Sequence, residues 1–412
     1  MSAPGDVVSL RRGGVGLLAC TAGTALANNY AVQPALGDVA RSTGTSTAAI
    51  GLVTTAALAG CIAGFAFLLP LADRTAPRRL VTAQLLLLAT GLVLAAAAHG
   101  LGLLLVAYVI IGAGASVGAQ SSTIAGRGVP AERRGSAVAL VAAGMSAGIL
   151  LSRLVGGALA DAFGWRGMLL TFAGLVLLCA AGARLWLPGE RPAPTGGYLA
   201  TLTALPGLLR RHRTLRRAVL TGSLWYFAFS LVWVALTVRL AQPPYGLDAA
   251  AIGLYSLAGV LGFAALPVAG RLGDRFGQRV VICASMGAGA TGAALLCTGL
   301  DTPAVTAAGL ALVDAGCFTA QAANQARILA IDPRRGGSLS GVYLLLYFLA
   351  GVVGSALAAP LIASGGWPAA SGAVLGALLL AGLLALRPDT EASAHDTKRP
   401  GRERPGRFVR WR

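Results

Sequence analysis

The chain has 412 residues, 56% of them hydrophobic and 12% charged, with a mean hydropathy of +0.73. Soluble globular domains carry about 25% charged residues, so composition excludes a soluble enzyme. The net charge of +18 sits in short basic clusters between apolar runs, with no zinc-finger, helix-turn-helix or arginine–aromatic pattern, so a nucleic-acid partner is excluded as well.

Charge, Gly and Pro divide the chain into twelve apolar runs: 15–37, 48–71, 79–98, 101–125, 136–160, 167–187, 218–240, 249–270, 280–299, 303–326, 338–363 and 369–387. Each is about 19–25 residues long, enough to cross a hydrocarbon layer of ~30 Å. Runs so long and so uniformly apolar are not barrel strands, and unpaired backbone is forbidden in lipid. The expected fold is therefore an all-α membrane protein of twelve transmembrane helices. Arg11 and Arg12 precede the first run as in a signal peptide. The run is long enough to span, and no small-residue cleavage site leads into a soluble domain, so it is read as an uncleaved first helix.

Of the 33 Lys and Arg residues, 29 fall in one set of inter-span segments, three (Arg41, Arg166, Arg239) in the other, and Arg153 lies within a span. The positive-inside rule then puts both termini in the cytoplasm of a multi-pass protein of the cell membrane. The expected organisation is a first six-helix bundle over 1–187, a cytoplasmic basic linker over 188–217 rich in Pro, Gly and Arg, a second bundle over 218–387, and a basic tail over 388–412. The tail is polar enough to stay disordered. It either remains solvated or touches anionic lipid.

The halves repeat. Asp73-Arg74 recurs as Asp274-Arg275, Gln120 as Gln321, and Arg133-Arg134-Gly135 as Arg334-Arg335-Gly336, all 201 residues apart; Gly164-Trp165 recurs as Gly366-Trp367 at 202. Four matches at almost one offset indicate a duplicated six-helix unit. With its two Asp-Arg loops, six-plus-six layout and basic central loop, the sequence resembles the major facilitator superfamily over roughly residues 10–390. The loop pattern of that family, about G-x-L-a-D-r-x-G-r-r/k, is matched closely by Gly270 to Arg279. The first copy, ending in Arg78-Arg79, has Leu69 and Ala76 in place of its two glycines. The resemblance implies a cytoplasmic gating latch at Asp73, Arg74, Arg78, Asp274, Arg275 and Arg279. An aspartate at a helix end can accept from the N–H groups of a neighbouring helix start.

Polar groups inside spans are costly and mark candidate sites. The first span carries Asn28, Asn29, Tyr30 and Gln33-Pro34, spread over more than one helical face. They line a transport path or hydrogen-bond between helices. The N-N-Y-x-x-Q-P stretch resembles the arabinose-efflux-like and drug-efflux-like branch of the superfamily. Asp314 is the acidic residue deep within a span, eleven residues from Pro303 and so about 17 Å down at 1.5 Å per residue. A carboxylate there suits a proton carrier, or is held by a partner helix. Arg153 lies about 17 residues into the fifth span, after Gly144 and Gly148 and before Gly156-Gly157, small residues at helix-packing spacing. The segment loosely resembles the fifth-helix antiporter motif, with Ile149 where the motif has Pro. Arg153 either binds an anionic substrate or pairs with Asp38. In the fourth span Tyr108 stands where the family often has Arg. The seventh span offers Trp225, Tyr226, Phe229 and Trp233, of which Trp225, Phe229 and Trp233 form an i,i+4 aromatic stripe, either lining a cavity or, for Trp225, lying in an interfacial belt. Gln321, Asn324 and Gln325 continue the tenth.

No GxxxxGK[ST] loop, HExxH or metal-ligand cluster occurs, and no GxSxG hydrolase segment lies in a soluble domain. The six cysteines lie in apolar runs without CxxC spacing and read as small hydrophobes. No enzyme activity, cofactor or metal is expected. The resulting expectation is a monomeric secondary transporter working by alternating access, a proton antiporter expelling a small, partly apolar organic compound. The alternatives are an uptake permease for a sugar, nucleoside or organic anion, or a non-transporting sensor on the same fold.

Overall fold

The computed structural model describes residues 10, 13–69, 71, 75–130, 133–190, 205–264, 275–331 and 336–386. Asp73, Arg74 and Asp274 lie outside the described residues, as do 191–204 of the linker and the whole tail. Every regular element among the described residues is helical. In chain order these are α1 (Gly14–Ala27), α2 (Leu36–Thr43), α3 (Thr47–Ile50), α4 (Leu52–Phe67), α5 (Pro77–Ala96), α6 (Leu101–Ala115), α7 (Val117–Arg127), α8 (Arg134–Trp186), α9 (Leu205–Arg211), α10 (Arg213–Leu240), α11 (Ala249–Leu254), α12 (Leu257–Ala264), α13 (Gln278–Leu296), α14 (Pro303–Ile331) and α15 (Gly336–Leu386).

Among the described residues, with α6–α7 and α11–α12 each taken as one run, seven helices are long and apolar enough to cross a membrane, and three shorter apolar ones accompany them. Two of the seven, α8 and α15, are double length and fold back at a glycine. The turns expected near 161–166 and 364–368 are single-residue kinks, at Gly164 (φ 71, ψ 161) and Gly366 (φ 64, ψ −160). Both φ values are positive, where a Cβ is disfavoured, which explains why the Gly-Trp pair repeats. Each tryptophan then ties the turn down: Trp165 Nε1 donates to Ser42 Oγ at 2.8 Å, and Trp367 Nε1 to the Leu296 carbonyl at 2.7 Å. Counting α8 and α15 twice gives the twelve crossings.

Elsewhere single runs are broken. The first ends its regular helix at Ala27, passes through turns over 28–32 and a 3₁₀ turn at Gln33–Ala35, and resumes as α2. Pro34 removes a backbone donor there. Such a break survives in a membrane protein only where protein covers it, and residues 27–36 are all buried. The linker is not wholly irregular: α9 lies within it, and α10 begins at Arg213 rather than 218, with Arg216 Nη1 donating to the Leu209 and Arg210 carbonyls at 3.0 and 2.8 Å.

Two hydrophobic cores form, one almost wholly from residues between Leu18 and Leu187, the other mainly from Leu215 to Ala385. Glycine sets the spacing inside the first. A Cβ on Gly144, Gly148 or Gly156 of α8 would strike the carbonyls of Ala19, Gly23 and Ala31 respectively, so these three positions let the backbones touch. Gly157, on the next face, abuts the Ala249 carbonyl in the second bundle.

Candidate functional site

The two bundles meet around a buried polar cluster. Arg153 on α8 and Asp314 on α14 each lie eleven residues from the turn at the arginine-poor end of their helix, hence at the same depth of about 17 Å. Arg153 is 1% exposed and Asp314 fully buried. Arg153 Nε donates to Gln33 Oε1 at 2.7 Å. Its guanidinium lies 4.1 Å from the Trp233 ring centroid, 4.9 Å from that of Tyr30 and 5.4 Å from that of Phe229. Desolvated cation–π contacts of this kind stabilise by about 2 kcal/mol or more, which offsets part of the cost of burying the charge. Trp233 Nε1 donates to Asp314 Oδ1 at 3.1 Å, so one indole touches both side chains.

Gly259 on α12 and Leu150 on α8 close over the acid. A Cβ on Gly259 would stand 2.6 Å from both Asp314 Oδ2 and Leu150 Cδ2. Arg153 Nη1 and Nη2 and Asp314 Oδ2 are buried without hydrogen-bond partners. Below Arg153 and Asp314, towards the arginine-rich end, Tyr30 and Tyr226 join hydroxyl to hydroxyl across the bundles at 2.8 Å. Tyr226 stacks on Tyr347 at 3.9 Å and on Phe229 at 6.0 Å.

The sequence candidates separate here. Tyr30, Gln33, Arg153, Tyr226, Phe229, Trp233 and Asp314 come together in one buried cluster where the bundles meet. Asn29 donates from Nδ2 to Cys61 Sγ at 3.1 Å beside it, whereas Asn28 turns back on its own helix, donating to the Thr24 carbonyl at 2.7 Å. Gln321 accepts from the Tyr343 hydroxyl. Asn324 is fully buried with neither amide atom partnered. The pairing of Arg153 with Asp38 does not occur: Asp38 bonds Arg41, one turn along the same helix. Trp225 is not a belt residue but is 1% exposed, packed edge-on against Tyr347. Tyr108 is buried with its hydroxyl unpartnered. Tyr343 and Tyr347 on α15 stack on each other, and Tyr347 on Tyr226; their i,i+4 spacing is the same signal that marks the stripe on α10.

Among the described residues of the two loops, three arginines make local contacts. Arg78 Nε donates to the Leu187 carbonyl at 2.9 Å, and Arg279 Nε to the Ala385 carbonyl at 3.0 Å. Each arginine, 201 residues from its counterpart, caps the last helix of its own bundle, where a cation suits the free carbonyls. Arg275 stacks on the ring of Phe276. A separate cavity of about 450 Å³, lined in part by Arg239, Tyr245 and Trp367, opens near the Gly366 turn and contains neither Arg153 nor Asp314.

The family model described as Major Facilitator Superfamily matches residues 18–354 and 218–412. The chain belongs to the Major Facilitator Superfamily. Among its superfamily relatives, "Probable transporter SCO4007" of Streptomyces coelicolor is 34% identical over 372 residues, covering 90% of this chain and 86% of that one. "Uncharacterized transporter YgaY" of Escherichia coli O157:H7 is 29% identical over 361 residues, covering 85% and 89%. The crystal structure of a D-xylose–proton symporter superposes with a TM-score of 0.74 at 18% identity, covering 91% of this chain and 97% of that one, a likeness of fold. This facilitator-superfamily chain is thus a multi-pass transporter of twelve helices in two pseudo-symmetric bundles.

Proposed function

We propose that the chain is a proton-coupled exporter of a small, partly apolar organic compound, working by alternating access through the chamber between its bundles. The observation that carries this is Asp314, a carboxylate buried at the bundle interface, bonded to Trp233 and beside Arg153. An acid enclosed in this way can exchange a proton only when the bundles part, so each opening exposes it to one side. The aromatic walls suit an apolar body. Export is supported by the resemblance of the Asn28 to Pro34 stretch to the efflux-like branch. The named contacts that join the bundles near the arginine-poor end, Gly157 on Ala249 and Thr55 Oγ1 to Ser355 Oγ at 3.0 Å, support a conformation closed at that end. We place that end outside a cell membrane and the arginine-rich end in the cytoplasm, with a gate at Asp73, Arg74, Asp274 and Arg275.

Uptake is the second reading, favoured by the two unpartnered Nη atoms of Arg153, which suit an anionic metabolite. The test is proton exchange by purified protein in detergent as compounds are added, wild type against Asp314→Asn. A compound that moves protons in the wild type and not in the variant supports coupling at Asp314. A compound that binds both equally with no proton movement overturns it. Vesicles loaded on one side then give the direction.

A further inference from the structure

The chamber holds two ionisable groups, and their surroundings divide the work between them. Asp314 has one oxygen on Trp233 and the other under Gly259 and Leu150, so close that a methyl group at Gly259 would stand 2.6 Å from Oδ2. That enclosure admits a proton and leaves no room for an organic ammonium group. Arg153 is the converse. Only Nε is engaged, by Gln33; Nη1 and Nη2 are both buried and unpartnered. The rings of Trp233, Tyr30 and Phe229 around the guanidinium fix its plane without using its outer N–H groups. A planar fork held this way matches the two oxygens of a carboxylate, and the same rings offer an apolar wall to whatever the carboxylate is attached to.

We propose that Arg153 seats the carboxylate of an organic-anion substrate. The inference rests on the reading of the chamber as the transport path and names the class of compound that uses it. Charge balance follows. Arg153 and ionised Asp314 neutralise each other when the chamber is empty. An anion on Arg153 restores neutrality only with a proton on Asp314. Substrate and proton are therefore loaded together and cross in the same direction, so export of such an acid requires an outward substrate gradient larger than the inward proton gradient, and a smaller one turns the same cycle to uptake, the second reading above.

The test uses the full-length protein in detergent and the shift of its thermal unfolding midpoint on ligand binding. The probes are benzoate, phenylacetate, 3-phenylpropionate and octanoate, each beside its methyl ester, with 2-phenylethylamine as the cationic analogue. At least one acid is expected to bind ~10-fold or more tightly than its ester, because the ester leaves the buried fork unpaired. Arg153→Lys, which keeps the charge and loses the fork, is expected to weaken that acid ~10-fold while changing ester binding less than ~3-fold. The acid-to-ester comparison on wild type needs no variant and stands if Arg153→Lys fails to fold. Esters or the amine binding as well as the acids, or no acid binding at all, overturns the carboxylate seat. If the esters or the amine that bind are also carried into vesicles by the wild type, and Arg153→Lys or Asp314→Asn stops this, the chamber reading survives without the seat. Vesicle transport of any probe that both substitutions leave unchanged overturns the chamber reading itself.

Discussion

The Tyr30–Tyr226 hydroxyl pair, 2.8 Å apart and buried, gives a sharp prediction about closure. Tyr226→Phe keeps the ring stacked on Tyr347 and Phe229 and removes one oxygen. The bond itself is worth about 1 kcal/mol net, but the Tyr30 hydroxyl is left buried without a partner, and that costs about 1–3 kcal/mol. The cost applies only while the bundles are closed on it, since opening lets water in. The closed-to-open equilibrium should therefore shift toward open by about 5- to 150-fold. Adding Tyr30→Phe removes the orphan, so the double variant should return most of the way to wild type. Nitroxide pairs at His99 and Ala304, exposed positions on separate bundles, read the populations as distance distributions; the exposed Cys20 and Cys297 are first replaced by Ser. Two single variants whose effects simply add would refute the reasoning, because the argument depends on an orphaned partner.

Further predictions concern packing and capping. Gly157→Val should block approach of α8 to α11 and lower vesicle transport ~10-fold or more through overpacking, whereas Gly174→Ala, with open space around its Cβ position, should leave transport unchanged. Trp233→Phe keeps a ring beside Arg153 and deletes the donor to Asp314, a bond to a charged group worth about 1.5–3 kcal/mol; substrate-linked proton exchange should fall while the protein stays folded by size exclusion. Arg78→Met and Arg279→Met should each destabilise by about 1 kcal/mol in thermal unfolding. The two losses should add, because the arginines share no partner.

Much of this was legible in the sequence because the membrane imposes few choices. Span length, arginine asymmetry and the 201-residue offset each followed from residue order alone. Candidacy was partly legible too: an acid and a base inside spans are so costly that each marked itself as a site residue, though nothing in residue order brought the two together. What residue order did not carry was partnership. Asp38 and Gln33 are both in reach of Arg153 on paper, and only the break at Asn28–Val32 decides that Gln33 faces it while Asp38 turns to Arg41. Trp225 has the composition of a belt residue, and its burial depends on Tyr347, over a hundred residues away. The basic loops suggested a gate because charge pattern marks a place, not a bond; that Arg78 and Arg279 cap their own bundles required knowing where the sixth crossing of each bundle ends.

The fold-back at Gly164 and Gly366 also bears on how such a chain can arise. Each half makes an even number of crossings, so it leaves the membrane on the face where it entered. Two copies of one gene joined head to tail then insert in the same sense, and neither needs its charges rewritten to be turned over. Had the fold-back at Gly164 been lost, the first half would cross an odd number of times, and tandem fusion would have stranded the second copy upside down.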